Sequence, residues 1–284
     1  IDNQFGLKII KRSFKKLAED ARDIPDTDAQ EVWDAKKKST PIGNLSKKAI
    51  LDAVKLYMIV KKDLDANPNI IAAGMNCLNE SHFCETTPCL AWNFLYEDER
   101  LIWGCEGDTA SMLTKVLISK TLDVPFMMTN MYPFLMGQAA TKHEHIPGFP
   151  SVTGKPENHI LAAHCGYFGV VPQSFSTEWK LKEKVLTIVH DDATTIDARF
   201  PEGPITLVKL IPPFNRWSII EGNLVKYAQF ENSHCLNGAV IEVQNGPRMI
   251  DGLASHHYIV TAGHNLNALE MISKVLGLEY ETLS

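Results

Sequence analysis

The sequence predicts an α/β fold: a parallel α/β sheet domain over residues 1–125, followed by an antiparallel β-barrel-like domain with a terminal helix over residues 126–284. Three observations predict it. In the first half, short apolar runs alternate with segments of helical period. That is the signature of β-α-β-α-β units joined by short links, and hence of a mostly parallel sheet covered on both faces. In the second half the pattern changes to strand-like runs separated by turn residues, as in an antiparallel barrel or sandwich. The composition, 45% hydrophobic and 22% charged over 284 residues, is that of a globular chain able to build its own core.

Lys8-Ile9-Ile10 is a short apolar run and a candidate strand, and residues 26–38 are polar, helical or loose. Between residues 46 and 64, Ile50, Leu51, Val54, Tyr57, Met58 and Val60 recur at mostly helical spacing. Ser46 suits the N-cap, and Asn67-Pro68 ends the segment. Residues 69–75 read as a buried strand and residues 88–96 as a helix, with Pro88 in a tolerated first-turn position. Residues 101–105 form a second strand candidate. Residues 109–122 form an amphipathic helix with Met112, Leu113, Val116, Leu117 and Leu122 on one side. A third strand covers residues 124–128, where Pro125 near the start is best tolerated. Residues 143–159, rich in Pro, Gly and His, read as a long loop or hairpin tip. Strand-like runs follow at 160–163, 184–189, 195–200, 205–210, 217–221 and 239–243. A final helix over 267–276 ends at Gly277.

Charge and motifs exclude several classes of function. With 28 basic and 34 acidic side chains the net charge is −6, which argues against a nucleic-acid footprint. The one basic cluster, Lys36-Lys37-Lys38, is short and reads as a solvated loop. The apolar runs are too short to span a bilayer, and no signal-peptide pattern is seen. The six cysteines contain no C-x-x-C pair, so reduced, buried thiols in a cytoplasmic protein are expected. No P-loop, placed dinucleotide fingerprint or H-E-x-x-H is present. The opening Ile1-Asp2-Asn3-Gln4-Phe5-Gly6 reads like the interior of a chain, which points to processing or to the back part of a longer protein.

In an open parallel sheet, ligands bind beyond the carboxyl ends of the strands. The three expected strands of the first half run out into Asn76-Cys77-Leu78-Asn79-Glu80-Ser81-His82, Cys105-Glu106-Gly107-Asp108 and Thr129-Asn130. They would deliver Asn, Glu, His and Asp to one edge. Glu106 lies between a buried strand and a capped helix, with few routes to bulk solvent. Gly107 lets the backbone turn there, and Asp108 or Thr109 can cap the helix. His164 follows an apolar run, and His256-His257 form a pair at a strand start, a metal-site signal. His143 and His145 are expected on the surface. Carboxylate plus imidazole suits Mn²⁺, Fe²⁺, Co²⁺ or Zn²⁺, and a set dominated by oxygen favours Mn²⁺ or Mg²⁺.

The run Glu85-Thr86-Thr87-Pro88-Cys89-Leu90-Ala91, followed by Cys105-Glu106-Gly107-Asp108 and Phe126-Met127-Met128-Thr129-Asn130, resembles the middle of the L-fucose isomerase and L-arabinose isomerase group. Ala163-His164-Cys165 and Ser255-His256-His257 resemble its two later histidine motifs, and residues 265–279 are similar to the helix after the second. The resemblance covers about residues 70–135, 160–166 and 252–280. Each motif alone is weak, and their order and spacing carry the specificity.

The resemblance implies α/β domains followed by a β-barrel-like domain, and a further N-terminal α/β domain that is expected to be missing from this sequence. It implies a homo-oligomer, trimer or hexamer, with sites near subunit boundaries. The implied activity is aldose–ketose isomerisation of a pentose or 6-deoxyhexose with Mn²⁺ or another divalent cation. By position, Glu106 matches a metal-binding catalytic glutamate and His257 a metal-binding histidine. His164 matches a histidine at the metal in the arabinose branch. Asn130 departs from the pattern, because the isomerases carry a second carboxylate there or next to it. An amide can coordinate through its oxygen but takes no proton at neutral pH. The expected metal set is Glu106, Asn130, His164 and His257, with Asn130 and His256 on the substrate side. Glu106 and either Glu80 or Asp108 would carry acid–base chemistry. The alternative is a sugar-binding relative that has lost catalysis.

Overall fold

The structure, a computed structural model, describes residues 5–80, 83–144, 146–230 and 233–283, with the side chains of residues 79, 80, 138 and 140 outside the description. The expected site residue Glu80 therefore lies, as a side chain, outside the described residues, and His82 and His145 lie outside them altogether.

The N-terminal part is a helical layer. Helices α1 (Phe14–Arg22), α2 (Asp26–Lys36) and α3 (Lys47–Ala66) pack together, α1 and α2 each lying against α3. The hydroxyl of Ser46 accepts from the Ala49 amide at 3.0 Å and starts α3; such a cap is worth about 1 kcal/mol. Strand β1 (Ala72–Gly74) leads into the short helix α4 (Cys77–Glu80), and α5 (Cys89–Glu99) leads to β2 (Ile102–Gly104). Helix α6 (Thr109–Thr121) follows.

The rest of the chain contains a closed barrel. It is built from β3 (Phe126–Pro133), β4 (His159–Ala163), β7 (Gly203–Ile211), β8 (Arg216–Ala228), β9 (Gly238–Val243) and β10 (His257–Ala262). Neighbours run in the order β8-β7-β10-β3-β4-β9, all antiparallel, and β9 pairs back onto β8 to close the ring. Before the barrel is completed the chain forms α7 (Gly137–His143) and a two-stranded ribbon of β5 (Glu178–Glu183) and β6 (Thr194–Arg199). Helix α8 (Gly246–Gly252) precedes β10. Helix α9 (Leu266–Leu276) follows it and leads to β11 (Glu279–Thr282), which pairs in parallel with the start of β8. Closure removes the unpaired edges that an open sheet would expose.

The expected parallel α/β sheet domain is not what forms. Among the described residues of the first half, only β1 and β2 pair in parallel, over three residues each. The third expected strand, β3, is an antiparallel member of the barrel between β10 and β4. The fold is therefore a helical layer with a small parallel ribbon, packed on a six-stranded antiparallel barrel. The reason is that an apolar run of a few residues has the same composition whichever way its partner runs. One partner of β3, β10, lies some 130 residues further on and the other, β4, some 30, both beyond the reach of local pattern. Other expectations also shift. Residues 8–10 form no strand, and Ile9 and Ile10 are exposed. Residues 184–189 are loop, while the alternation of Trp179 and Leu181 with Lys180 and Lys182 makes β5 instead.

One hydrophobic cluster runs through both halves, from Trp33, Val54 and Leu56 of the helices to Ile205, Ile220 and Ile241 of the barrel. Its seam is aromatic. Trp103 of β2 stacks on Phe126 of β3 with centroids 5.7 Å apart, and Tyr96 and Phe175 close around them. This packing fixes the end of β2 against the barrel strands, and the polar cluster lies at that junction. Among the described residues, no helix is long and apolar enough to cross a membrane.

Candidate metal centre

Glu106 and Asp108 lie in the turn between β2 and α6. Glu106 has φ +54° and Gly107 φ +69°, so two successive residues take the left-handed conformation. For a glutamate this costs about 1 kcal/mol, and such strain collects at functional sites. Gly107 donates to the Met75 carbonyl at 3.0 Å, and the turn is thereby tied to the exit of β1. Asp108 then caps α6: its Oδ1 accepts from the Ser111 amide at 2.8 Å.

The barrel supplies the opposing wall. His257 opens β10, and its cross-strand partner is Asn130 of β3, which is in turn opposite Ala163 of β4. His164 follows Ala163, so three adjacent strands carry Asn130, His164 and His257 to one place. His164 Nε2 is 3.3 Å from Glu106 Oε1, and His257 Nε2 is 3.4 Å from Glu106 Oε2. The two ring centroids are 5.7 Å apart. His256 lies against His257 with ring centroids 4.0 Å apart and the rings tilted by 48°, at the rim of the cluster.

Asp108 serves a different purpose from Glu106. Its Oδ2 accepts from His257 Nδ1 at 2.8 Å, from Lys209 Nζ at 3.0 Å and from the Ser111 hydroxyl at 2.7 Å. Lys209 also donates to the Ser111 hydroxyl at 2.7 Å. Through its hydrogen bond Asp108 fixes the ring of His257: Nδ1 donates to Asp108, and Nε2 is turned toward Glu106.

Burial disfavours the charged form of Asp108, but the His257 hydrogen bond, the Lys209 charge and the Ser111 donors hold its carboxyl well below the usual range. Burial likewise opposes ionisation of Glu106, yet the nearby imidazoles bring it below its ordinary value. For His257, burial is outweighed by Asp108 and Glu106, and its pKa is raised. His164 is governed by burial and falls to about 4, so it is a neutral imidazole at pH 7. Burial and the neighbouring His257 also lower His256.

The polar accounting of the cluster is incomplete. Among the described residues, His164 Nδ1 and Nε2, His257 Nε2 and Asn130 Oδ1 are buried without a hydrogen-bond partner. The two glutamate–imidazole contacts are close, but they are not aligned as hydrogen bonds. Buried polar atoms are normally satisfied, and orphans that converge on a carboxylate mark a place for a ligand. Glu106, His164 and Cys165 also offer one ligand atom each within 4.8 Å of one another, a group that can hold a metal ion. Burial keeps the Cys165 thiol protonated far above its ordinary value, so a cation must displace that proton to use the sulfur. Glu106, His164 and Cys165 thus form a candidate divalent-cation site, with the unmet His257 Nε2 and Asn130 Oδ1 on the neighbouring strands.

Cys165 is not expected from the sequence, because adjacent strand residues point to opposite faces. The turn defeats that rule. Cys165 has φ +54° and Gly166 φ +95°, so the chain leaves β4 in a left-handed bend. Gly169, at φ +146°, passes so close to Met127 and Met128 that a Cβ would clash, and this seats the bend under His164. Lys209 and Ser111 are likewise absent from the expected site. Lys209 had a legible signal, a lone charge within the apolar run of β7.

No family model matches the chain, and no curated protein matches it.

Proposed function

We propose that the chain is a metal-dependent aldose–ketose isomerase of the L-fucose/L-arabinose isomerase kind, acting on a pentose or a 6-deoxyhexose through an ene-diol. The observation that carries this reading is the approach of unpartnered His164 and His257 nitrogens to the Glu106 carboxylate, with the unpartnered Asn130 Oδ1 on the residue opposite His257. Glu106, His164, His257 and Asn130 would hold the cation, for which Mn²⁺ is the choice when oxygen and imidazole dominate and Cys165 keeps its proton. When bound, the cation would polarise the substrate carbonyl and draw the two neighbouring oxygens together.

The chain's own residues do the remainder. Glu106 is ionised and strained into the site, placed to take or return the proton that moves between adjacent carbons. Such a group is worth roughly 10²–10⁴-fold. Asp108 fixes the His257 ring. His256, at the rim, is placed to meet a sugar hydroxyl. The second acid–base group is Glu80 or Asp108, and Asp108 already accepts four hydrogen bonds.

That commitment of Asp108, with an amide at Asn130, favours a second reading, a sugar-binding relative without turnover. A panel of pentoses and 6-deoxyhexoses, assayed with and without Mn²⁺, separates the two. The isomerase reading expects Mn²⁺-dependent ketose formation that Glu106→Gln abolishes. Saccharide binding with no turnover of any sugar supports the second reading, and retained turnover in Glu106→Gln contradicts the role given to Glu106. The proposal also carries a homo-oligomer, trimer or hexamer, which light scattering checks.

A further inference from the structure

We infer that Tyr132 is a positioning residue for the candidate site, holding the Asn130 amide so that its oxygen, and not its nitrogen, faces Glu106, His164 and His257. The inference rests on the metal-site reading above and concerns what makes an amide usable there. Asn130 Nδ2 donates to the Tyr132 hydroxyl at 3.2 Å, while Asn130 Oδ1 is buried and has no partner among the described residues. Strand alternation puts Asn130 and Tyr132 on one face of β3, with the buried Met131 on the other. The cross-strand register sets Asn130 beside His257 on one flank and Ala163 on the other.

An amide has two unlike ends, two donors on nitrogen and an acceptor oxygen. Only the oxygen can meet a cation. In that orientation the N–H groups need an acceptor on the far side, because an unmet buried donor opposes the arrangement. The Tyr132 oxygen is that acceptor. The ring is itself fixed: Tyr132 packs against the cluster of Ile146, Leu161, Leu236 and Val240. The segment carrying Leu236 is pinned by Glu144, whose Oε2 accepts from the amides of His234 and Cys235 at 2.7 Å each and from the Ser233 hydroxyl at 3.0 Å. The Ser233 hydroxyl in turn accepts from the Leu236 amide at 2.7 Å. A packed wall, a phenol and an amide thus adjoin one another on the strand beside His257.

The test is a mutant cycle read by calorimetric titration of the whole chain with Mn²⁺ alone. Tyr132→Phe is expected to weaken Mn²⁺ binding about tenfold, the lower end for loss of a group that orients a ligand. In the Asn130→Ala background, the same change is expected to alter affinity by less than about twofold, since nothing remains to orient. Zn²⁺, which binds such sites more tightly, reads the same cycle if Asn130→Ala binds Mn²⁺ too weakly to measure. Tyr132→Phe with unchanged affinity overturns the proposal. So does an equal tenfold loss in the Asn130→Ala background, which would mark Tyr132 as a general support. A native chain that binds neither cation overturns the site reading itself, and this inference with it.

Discussion

Glu106 and Asp108 stand two residues apart in one turn, are about equally exposed at 21% and 18%, and meet the same imidazole from its two sides. Their circumstances are otherwise opposite. Asp108 accepts from a helix amide, a hydroxyl, an ammonium and an imidazole, drawn from α6, β7 and β10. Among the described residues, the Glu106 carboxylate meets His164 and His257 in contacts not aligned as hydrogen bonds, around atoms left unmet. The difference teaches how the fold divides work within three residues. One carboxylate stitches the helix to the barrel and orients the histidine. The other is held ready, in a backbone conformation that folding alone does not favour.

Substitutions sharpen that contrast, and the largest effect belongs to the stitched carboxylate. Asp108→Asn removes the charge that faces buried Lys209, and breaking such a pair costs about 3–5 kcal/mol; urea unfolding at pH 7 measures it. The pH dependence has a definite sign. Because the folded carboxyl titrates below its ordinary 3.8, its stabilisation is complete above that value. It is lost as pH falls toward the folded pKa. The acid limb of the stability curve below about pH 4 should therefore flatten in Asp108→Asn.

Lysines offer a parallel pair. Lys209 has its carboxylate, whereas Lys115 is fully buried, donates to the Trp103 carbonyl at 2.9 Å and lies 3.9 Å from the Trp103 ring centre. Burial brings Lys115 down to about 8 from 10.5. Between those values the unfolded chain binds the extra proton, so the Lys115 contribution to stability should rise by about 3 kcal/mol from pH 8 to 10.5, against the opposite trend of the buried thiols. Lys115→Met should abolish that rise.

Glu106→Gln should do the reverse of Asp108→Asn. Mn²⁺ affinity is expected to fall about a hundredfold, or ~2.7 kcal/mol. The unfolding free energy of the metal-free chain should move by less than about 0.5 kcal/mol. A large loss of stability would place Glu106 with Asp108 as a structural group and break the comparison. The smallest effect is expected at Cys165. Cys165→Ser should leave Mn²⁺ affinity within about twofold while lowering that for Zn²⁺, which takes thiolate ligands readily. Titration with the two ions reads both.

Much of this site can be read in the sequence. A carboxylate between an apolar run and a helix cap, and a histidine pair opening a strand, name Glu106, Asp108 and His257 without coordinates. The turn residues and alternation of the second half likewise indicate a barrel. The parallel sheet expected for the first half fails because β3 finds its partners in β4 and β10, and no local pattern encodes that. Cys165 escapes because a left-handed bend cancels the alternation that its place after His164 implies. Tyr132 escapes because its part depends on one amide hydrogen bond, which composition and period do not report.

The central claim is that the unmet atoms around Glu106 receive a divalent cation. Anomalous X-ray diffraction from crystals grown with Mn²⁺ tests it most directly. The account predicts one strong peak per chain, ligated by the Glu106 carboxylate and by Nε2 of both His164 and His257. Absence of a peak there, or a peak elsewhere with Glu106 bonded only to protein, would contradict it.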